Sequence, residues 1–312
     1  MKNVSSVLVK KNEDKRQVLL DKHLNKVHRK NQQYLDKKYL DELEVLKSDV
    51  YYTTDQLRRI NEENYQIIKD NRLIQKATFN FTELELKCLN YTLSRIKPDS
   101  KLSENDWIEY KLRDLIKMLN LKDSSASVQL IKDSLSNLRT KGKWIKIETE
   151  KEKKEVNLSF FLKCEIDNTN GKNIVRIRLM QEILDYLQNL HNNFTTQYLI
   201  YTMRLKGKYA IRLYELCKSY QNNYIKEFDI FGFNLYLEKI RSKWCIEKSY
   251  RNNDIKRTVE CAINEINKKT DIQVSIYNSH KDGRMIDYYV IRVEPNSNFQ
   301  QIYKDIKNER KV

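Results

Sequence analysis

The chain has 312 residues, with 59 Lys or Arg against 43 Asp or Glu, a formal net charge of +16. That excess points to a polyanionic partner, most simply nucleic acid. No apolar run approaches the roughly 20 residues a membrane span needs, and Met1 to Arg16 lacks the apolar core of a signal peptide, so a cytoplasmic protein with no membrane partner is expected. The five cysteines are scattered without a Cys-x-x-Cys pair, which predicts reduced, partly buried thiols and neither a disulfide frame nor a zinc site. Two prolines and five glycines are few for this length and fit a helix-rich chain.

Residues 1–70 read as a charged N-terminal arm. Leu35, Tyr39, Leu43 and Leu46 fall on one helical stripe, and Leu57, Ile60 and Ile67 continue a second. Helices and an unfolded charged arm fit this stretch equally. A first folded domain is expected over 71–193. Thr82 and Glu85 have capping-box spacing ahead of a helix through Cys88 to Ile96, which Pro98 should end. Trp107 to Tyr110 reads as extended, Leu112 to Leu119 as a short helix, and Asp123 to Ser127 as a turn. The next helix has Val128, Ile131, Leu135 and Leu138 inside and Gln129, Lys132, Ser136 and Arg139 outside. Strands at Trp144–Ile147 and Val156–Phe160 flank a tip of mixed charge, a strand follows at Ile174–Leu179, and a helix at Glu182–Leu190.

A second domain is expected over 194–296, before a charged tail at 297–312. Tyr198, Leu199 and Met203 suggest a helix, and after a break at Lys206-Gly207 another runs from Tyr209 to Tyr220. Phe228 and Ile230 read as extended, and Leu235, Leu237 and Ile240 as a short helix. From Asn253, placed as an N-cap, Ile255, Val259, Ala262, Ile263 and Ile266 mark one helical face. Lys256, Arg257, Asn264, Asn267 and Lys268 mark the other. Beyond Thr270 the period becomes two, and Ile272, Val274, Ile276 and then Tyr289, Ile291, Val293 flank an Asp282-Gly283 turn. A helix with a basic, amide-rich face followed by a hairpin with a basic tip fits the reading helix and wing of a winged helix. A helix packed on a hairpin in any α+β domain, with a solvated outer face, fits the same residues.

The two rounds match in order: long helix, short strand, short helix, turn, amphipathic helix, hairpin. Leu112–Ile147 lays over Leu235–Ile276. A tandem repeat on a basic chain favours an α+β fold of two winged-helix domains related by internal duplication.

The run Lys208-Tyr209-Ala210-Ile211-Arg212-Leu213-Tyr214-Glu215-Leu216 resembles the hallmark helix of plasmid replication initiators of the Rep_3 (RepA/RepB/RepE-like) family. So does the run Ser249-Tyr250, Asp254-Ile255-Lys256-Arg257, Ala262-Ile263-Asn264-Glu265-Ile266-Asn267 and Thr270-Asp271-Ile272, and more loosely Phe81 to Leu93. The resemblance spans Asn71 to Val293. One departure is Arg241-Ser242-Lys243-Trp244, where the family often has Leu-Gly, so Ser242 or Lys243 would take the left-handed turn position, at some cost. The resemblance implies a non-enzymatic, cofactor-free protein that binds double-stranded DNA at directly repeated origin sites (iterons) and at its own promoter. It also implies self-association as a repressing dimer, and host DnaA and replicative helicase as partners. In the second domain, Arg251, Asn252, Asn253, Lys256, Arg257, Asn264 and Lys268 become the candidate DNA contacts on the helix, and His280, Lys281 and Arg284 those on the wing. In the first domain the candidates are Gln129, Lys132, Arg139 and Lys141, a face of mixed charge that also suits a dimer surface.

A metal-dependent nickase is disfavoured because the four histidines lie far apart without a His-x-His pair. A helicase ATPase is disfavoured by the lack of a GxxxxGK[ST] loop, and the Arg-His-Arg set of a tyrosine recombinase is not recognisable. A tandem winged-helix transcriptional regulator shares every DNA-binding feature and stays open as the alternative. RNA binding fits less well, since the helices suit a DNA major groove better than an A-form one.

Overall fold

The computed structural model describes residues 65–298 apart from 79, 97–99, 141–142, 149–152, 172, 189, 191, 248 and 284. The helical stripe from Leu35 to Ile60 lies outside the described residues. Ile67 does not continue it: the residue is fully buried in strand β1, Gln66–Asp70. This strand precedes the expected start at Asn71 and pairs antiparallel with β7, Phe194–Tyr198, where a helix had been expected to begin. Between β1 and β7 lie α1 (Asn71–Gln75) and the elements of the first winged helix.

That first half opens with α2, Glu83–Leu93. The capping box is formed: the Glu85 amide donates to Thr82 Oγ1 at 3.2 Å and the Thr82 amide donates to Glu85 Oε2 at 2.9 Å. The helix ends at Leu93, short of Pro98, because Ser94 closes it locally, its hydroxyl donating to the Tyr91 carbonyl at 2.7 Å. Then follow β2 (Ile108–Lys111), α3 (Leu112–Met118), α4 (Ser125–Thr140), β3 (Lys143–Glu148), β4 (Lys153–Leu158), β5 (Phe161–Asp167), β6 (Ile174–Leu179) and a four-residue α5 (Gln181–Leu184). The helix expected at Glu182–Leu190 is thus reduced to little more than one turn.

After β7 come α6 (Leu199–Arg204), α7 (Lys208–Tyr220), β8 (Tyr224–Ile225), β9 (Ile230–Tyr236), α8 (Leu237–Lys243), α9 (Asn252–Lys269), β10 (Ile272–Asp282) and β11 (Met285–Pro295). Leu235 belongs to the strand, not to the short helix.

The duplication is visible in the sheets. In the first half the strand order is β2-β6-β5; in the second it is β10-β11-β9-β8. In each, the strand before the short helix pairs antiparallel with the last strand of the hairpin. The equivalent of β10 is therefore β5, not the Trp144 strand that the sequence alignment of the two rounds selects. The β3–β4 hairpin is a separate two-stranded sheet inserted after α4.

The turn after each short helix is also the same. Leu121 donates its amide to the Ile116 carbonyl and Asn120 to Lys117, while Ile246 donates to Arg241 and Cys245 to Ser242. This is the Schellman pattern, with the left-handed residue at Asn120 (φ 53°) and Cys245 (φ 48°). The left-handed position in the second half is thus Cys245, one residue past the Arg241–Trp244 stretch.

Candidate nucleic-acid interface

The reading helix α9 is placed by its neighbours before any surface residue is considered. Its buried stripe, Ile255, Val259, Ala262, Ile263 and Ile266, packs into the core with α7, Leu237 and Ile240 of α8, and Tyr289, Ile291 and Val293 of β11. Arg241 shapes the entry: its guanidinium donates to the carbonyls of Glu247 (3.2 Å) and Tyr250 (2.7 Å), holding the turn between α8 and α9. The N-cap is Arg251 rather than Asn253. Asp254 explains the shift, because its carboxylate accepts the Arg251 amide at 2.9 Å and does so from within the first turn.

The exit is equally defined. The Asn267 side chain donates to the Val274 carbonyl at 2.9 Å and accepts the Val274 amide at 2.7 Å. Asn296 donates to the Asn267 and Thr270 carbonyls at 2.8 and 3.1 Å, satisfying the last turn. Asn267 is therefore a clamp between α9 and β10, not a member of the outer face.

What remains on that outer face is Arg251, Asn252, Asn253, Lys256, Arg257, Glu260, Cys261, Asn264 and Lys268, all exposed. The sequence candidates on this helix are thus brought together on one surface. Two neighbours were not singled out from sequence. Glu260 lies 3.7 Å from Lys256 Nζ as an i,i+4 pair, both about half exposed, a contact of little energetic weight. Cys261 is an exposed thiol in the middle of the face, where the sequence predicts partly buried cysteines. On β11, burial pushes the Tyr289 hydroxyl pKa up, and Glu260 adds to the shift.

The wing is formed by the outer halves of β10 and β11, exposed from Tyr277 through Asp282. Gly283 takes φ 60° at the tip, as the Asp-Gly signal requires. The His280 ring stacks on Tyr288 at 4.8 Å and 8°, which fixes its direction, and Lys281 is exposed beside it. Arg284 lies outside the described residues. A shallow cleft between the wing and α8, reaching Asn252 at the start of α9, is lined by Glu238, Arg241, Asp282 and Asp287, so the surface there is more acidic than basic.

In the first half, Gln129, Lys132 and Arg139 are exposed on α4, and Lys141 lies outside the described residues. Gln129 Nε2 is engaged by Asp133 Oδ1 at 2.8 Å, and Leu130 next to it is 51% exposed. That face is less basic and more apolar than its counterpart on α9. Among the described residues no group of three His, Cys, Asp or Glu side chains could hold a metal ion, and no helix is long and apolar enough to cross a membrane.

Two repeated units of this kind, each a helix-turn-helix with a β-wing, define a tandem winged-helix protein. The profile of the initiator replication protein family matches both units, its first winged helix over residues 66–218 and its second over 236–293. The chain belongs to this family, Rep_3, of DNA-binding replication initiators. A solved structure of the Pi initiator protein in complex with iteron DNA is similar in fold, with a TM-score of 0.55 and 18% identity over 74% of this chain and 98% of that one. Domains 2 and 3 of RctB align with a TM-score of 0.39 at 10% identity, over 68% of this chain and 81% of that one. Among curated proteins none matches the chain.

Proposed function

We propose that this chain initiates plasmid replication by binding directly repeated origin sites, with α9 reading bases in the major groove. The observation that carries this reading is the outer face of α9. Lys256, Arg257, Asn264 and Lys268 are exposed together on a helix whose opposite face is wholly buried. Arg and Lys suit guanine edges or phosphates and Asn suits adenine. Arg251, Asn252 and Asn253 sit at the positive end of the helix dipole, where phosphate is favoured. His280 and Lys281 grip phosphates from the wing, with Arg284 beside them in sequence.

The first half, 71–193 in the sequence division, adds contacts through Gln129, Lys132, Arg139 and Lys141 and supplies a self-association surface. The exposed Leu130 and the Gln129–Asp133 contact on α4 support that second role. A dimer formed this way represses the gene for the protein, and the DNA-bound monomer recruits host DnaA and the replicative helicase. The iteron DNA bound to the Pi protein favours direct repeats as the target.

Footprinting of the purified protein on the DNA flanking its own gene, at two salt concentrations, tests the reading. Phased protection of direct repeats that survives the higher salt is expected. Protection of a lone inverted repeat at the promoter would replace initiator with transcriptional regulator, and uniform salt-labile coating would remove α9 from base reading.

A further inference from the structure

One feature of the fold has no role in reading DNA with either helix separately. A continuous set of polar contacts runs from α4 to α9 through α2 and α7. Asn137 of α4 donates to Glu85 Oε1 of α2 at 2.8 Å. Two residues earlier, Glu83 accepts the Gly207 amide at the start of α7 at 2.6 Å. Further along, Asn90 of α2 donates to Glu215 Oε1 of α7 at 3.1 Å, and Lys69 of β1 donates to the same oxygen at 2.7 Å and to Asn90 Oδ1 at 2.6 Å. All three side chains are buried.

An adjoining face of α7 holds the second half. Tyr214 donates its hydroxyl to Asp271 Oδ1 at 2.8 Å and Lys218 reaches Asp271 Oδ2 at 3.0 Å. Asp271 is buried and follows directly on the C-cap of α9. At the other end of the same face, Glu265 of α9 accepts the Lys206 amide at 3.0 Å and pairs with Lys269, whose ammonium also donates to the Arg204 carbonyl at 3.2 Å. The C-terminal half of the reading helix is thus keyed to the Arg204–Gly207 corner and to α7 at two separate points.

We infer that α7 is a rigid yoke that fixes the distance and rotational phase between α4 and α9 on DNA, and that Glu265 and Asp271 are the positioning residues that lock α9 to it. Neither carboxylate lies on the exposed DNA-facing surface. A buried or half-buried carboxylate with two directed partners has one geometry, whereas apolar packing along α7 alone permits sliding. The inference rests on the proposal that both halves touch DNA.

The test uses the full-length protein and a DNA site selected by it from a random pool. Three duplexes are compared: the whole site, the same site with two base pairs inserted between the parts protected by the two halves, and the part protected by the second half alone. Wild type should lose about tenfold or more on the insertion, within the usual range of coupling between sites. Glu265→Ala, a change at the partly exposed end of the contact, should lose less than about threefold on the insertion while binding the single part within about twofold of wild type. Asp271→Asn, which keeps the acceptor for Tyr214 and loses the charge for Lys218, should shift in the same direction.

An insertion penalty unchanged in Glu265→Ala, or an equal loss on all three duplexes, overturns the yoke and leaves DNA reading by α9 intact. A wild type indifferent to the insertion overturns it as well, and with it DNA contact by the first half. Failure to select any site would instead sink the proposed function.

Discussion

The two winged helices share a scaffold and differ in what they place on it. Both have the strand order that brings the pre-helix strand against the last strand of the hairpin, and both close the short helix with the same Schellman turn. Yet α9 runs directly into its wing through Thr270, whereas α4 is followed by a separate β3–β4 hairpin before β5 begins. The face of α9 is basic and rich in amides, while that of α4 has Gln129 engaged by Asp133 and an exposed Leu130. A duplicated fold is kept by its core, and its surfaces are free to diverge toward different partners.

The largest expected effect falls at the junction both halves share. Burial alone would push the Glu215 carboxyl up, but Lys69 and Arg212 beside it more than offset this and hold it below its ordinary value. Burial lowers the Lys69 ammonium, with Glu215 opposing. Lys69→Met leaves the buried Glu215 with Arg212 as its neighbouring cation and should destabilise by about 3 kcal/mol, and adding Glu215→Leu takes the anion from beside the buried Arg212, so the double variant should be no more stable than the single one. Urea unfolding followed by a probe in each half checks this, and separate transitions would mean that the halves do not share one junction. The depressed carboxyl of Glu215 contributes stability above its unfolded value. That contribution is lost as pH falls through the lower folded value, so wild type should weaken on acidification below about pH 4.5 and the double variant should be less sensitive.

Next in size is the contrast between the two reading faces. Lys256→Ala with Arg257→Ala should cost specific binding about 3 kcal/mol, at roughly 1–3 per base-reading contact, whereas Gln129→Ala with Lys132→Ala should cost about 1. Equal losses in competition binding would erase the distinction drawn between α9 and α4. Lys281→Ala should weaken all sequences alike and reduce the salt slope by roughly one phosphate. A sequence-dependent loss would make the wing a reader.

The smallest effect sharpens the scaffold comparison. Cys245 and Asn120 occupy the same left-handed position, and Asn tolerates it better than Cys. Cys245→Gly should therefore stabilise by about 0.5–1 kcal/mol in thermal unfolding, and Asn120→Gly by less. The reverse order would show that the two turns are not equivalent.

Most elements were legible because apolar spacing reports a buried face. Ile255 to Ile266, Val128 to Leu138, Tyr209 to Tyr220 and the Thr82–Glu85 cap all formed where the pattern places them. β1 and β7 were missed, since each is short and their pairing joins residues more than 120 apart in sequence. β5 was missed because Leu162, Lys163 and Glu165 give no regular alternation beyond Phe161.

Of the interface, residue types and the exposed helical face could be read in advance. Asn267 could not be told from Asn264, since both lie on the polar side of the same helix. Only the position of β10 turns one into a clamp and leaves the other free for solvent. The basic charge, the two helix-and-hairpin rounds and the family follow from residue pattern alone. Tertiary structure decided which hairpin completes the first wing, which residue takes the left-handed turn, and how α7 joins the two halves. Local patterns encode burial within an element, whereas strand partners and buried ion pairs depend on contacts that only the folded chain brings together.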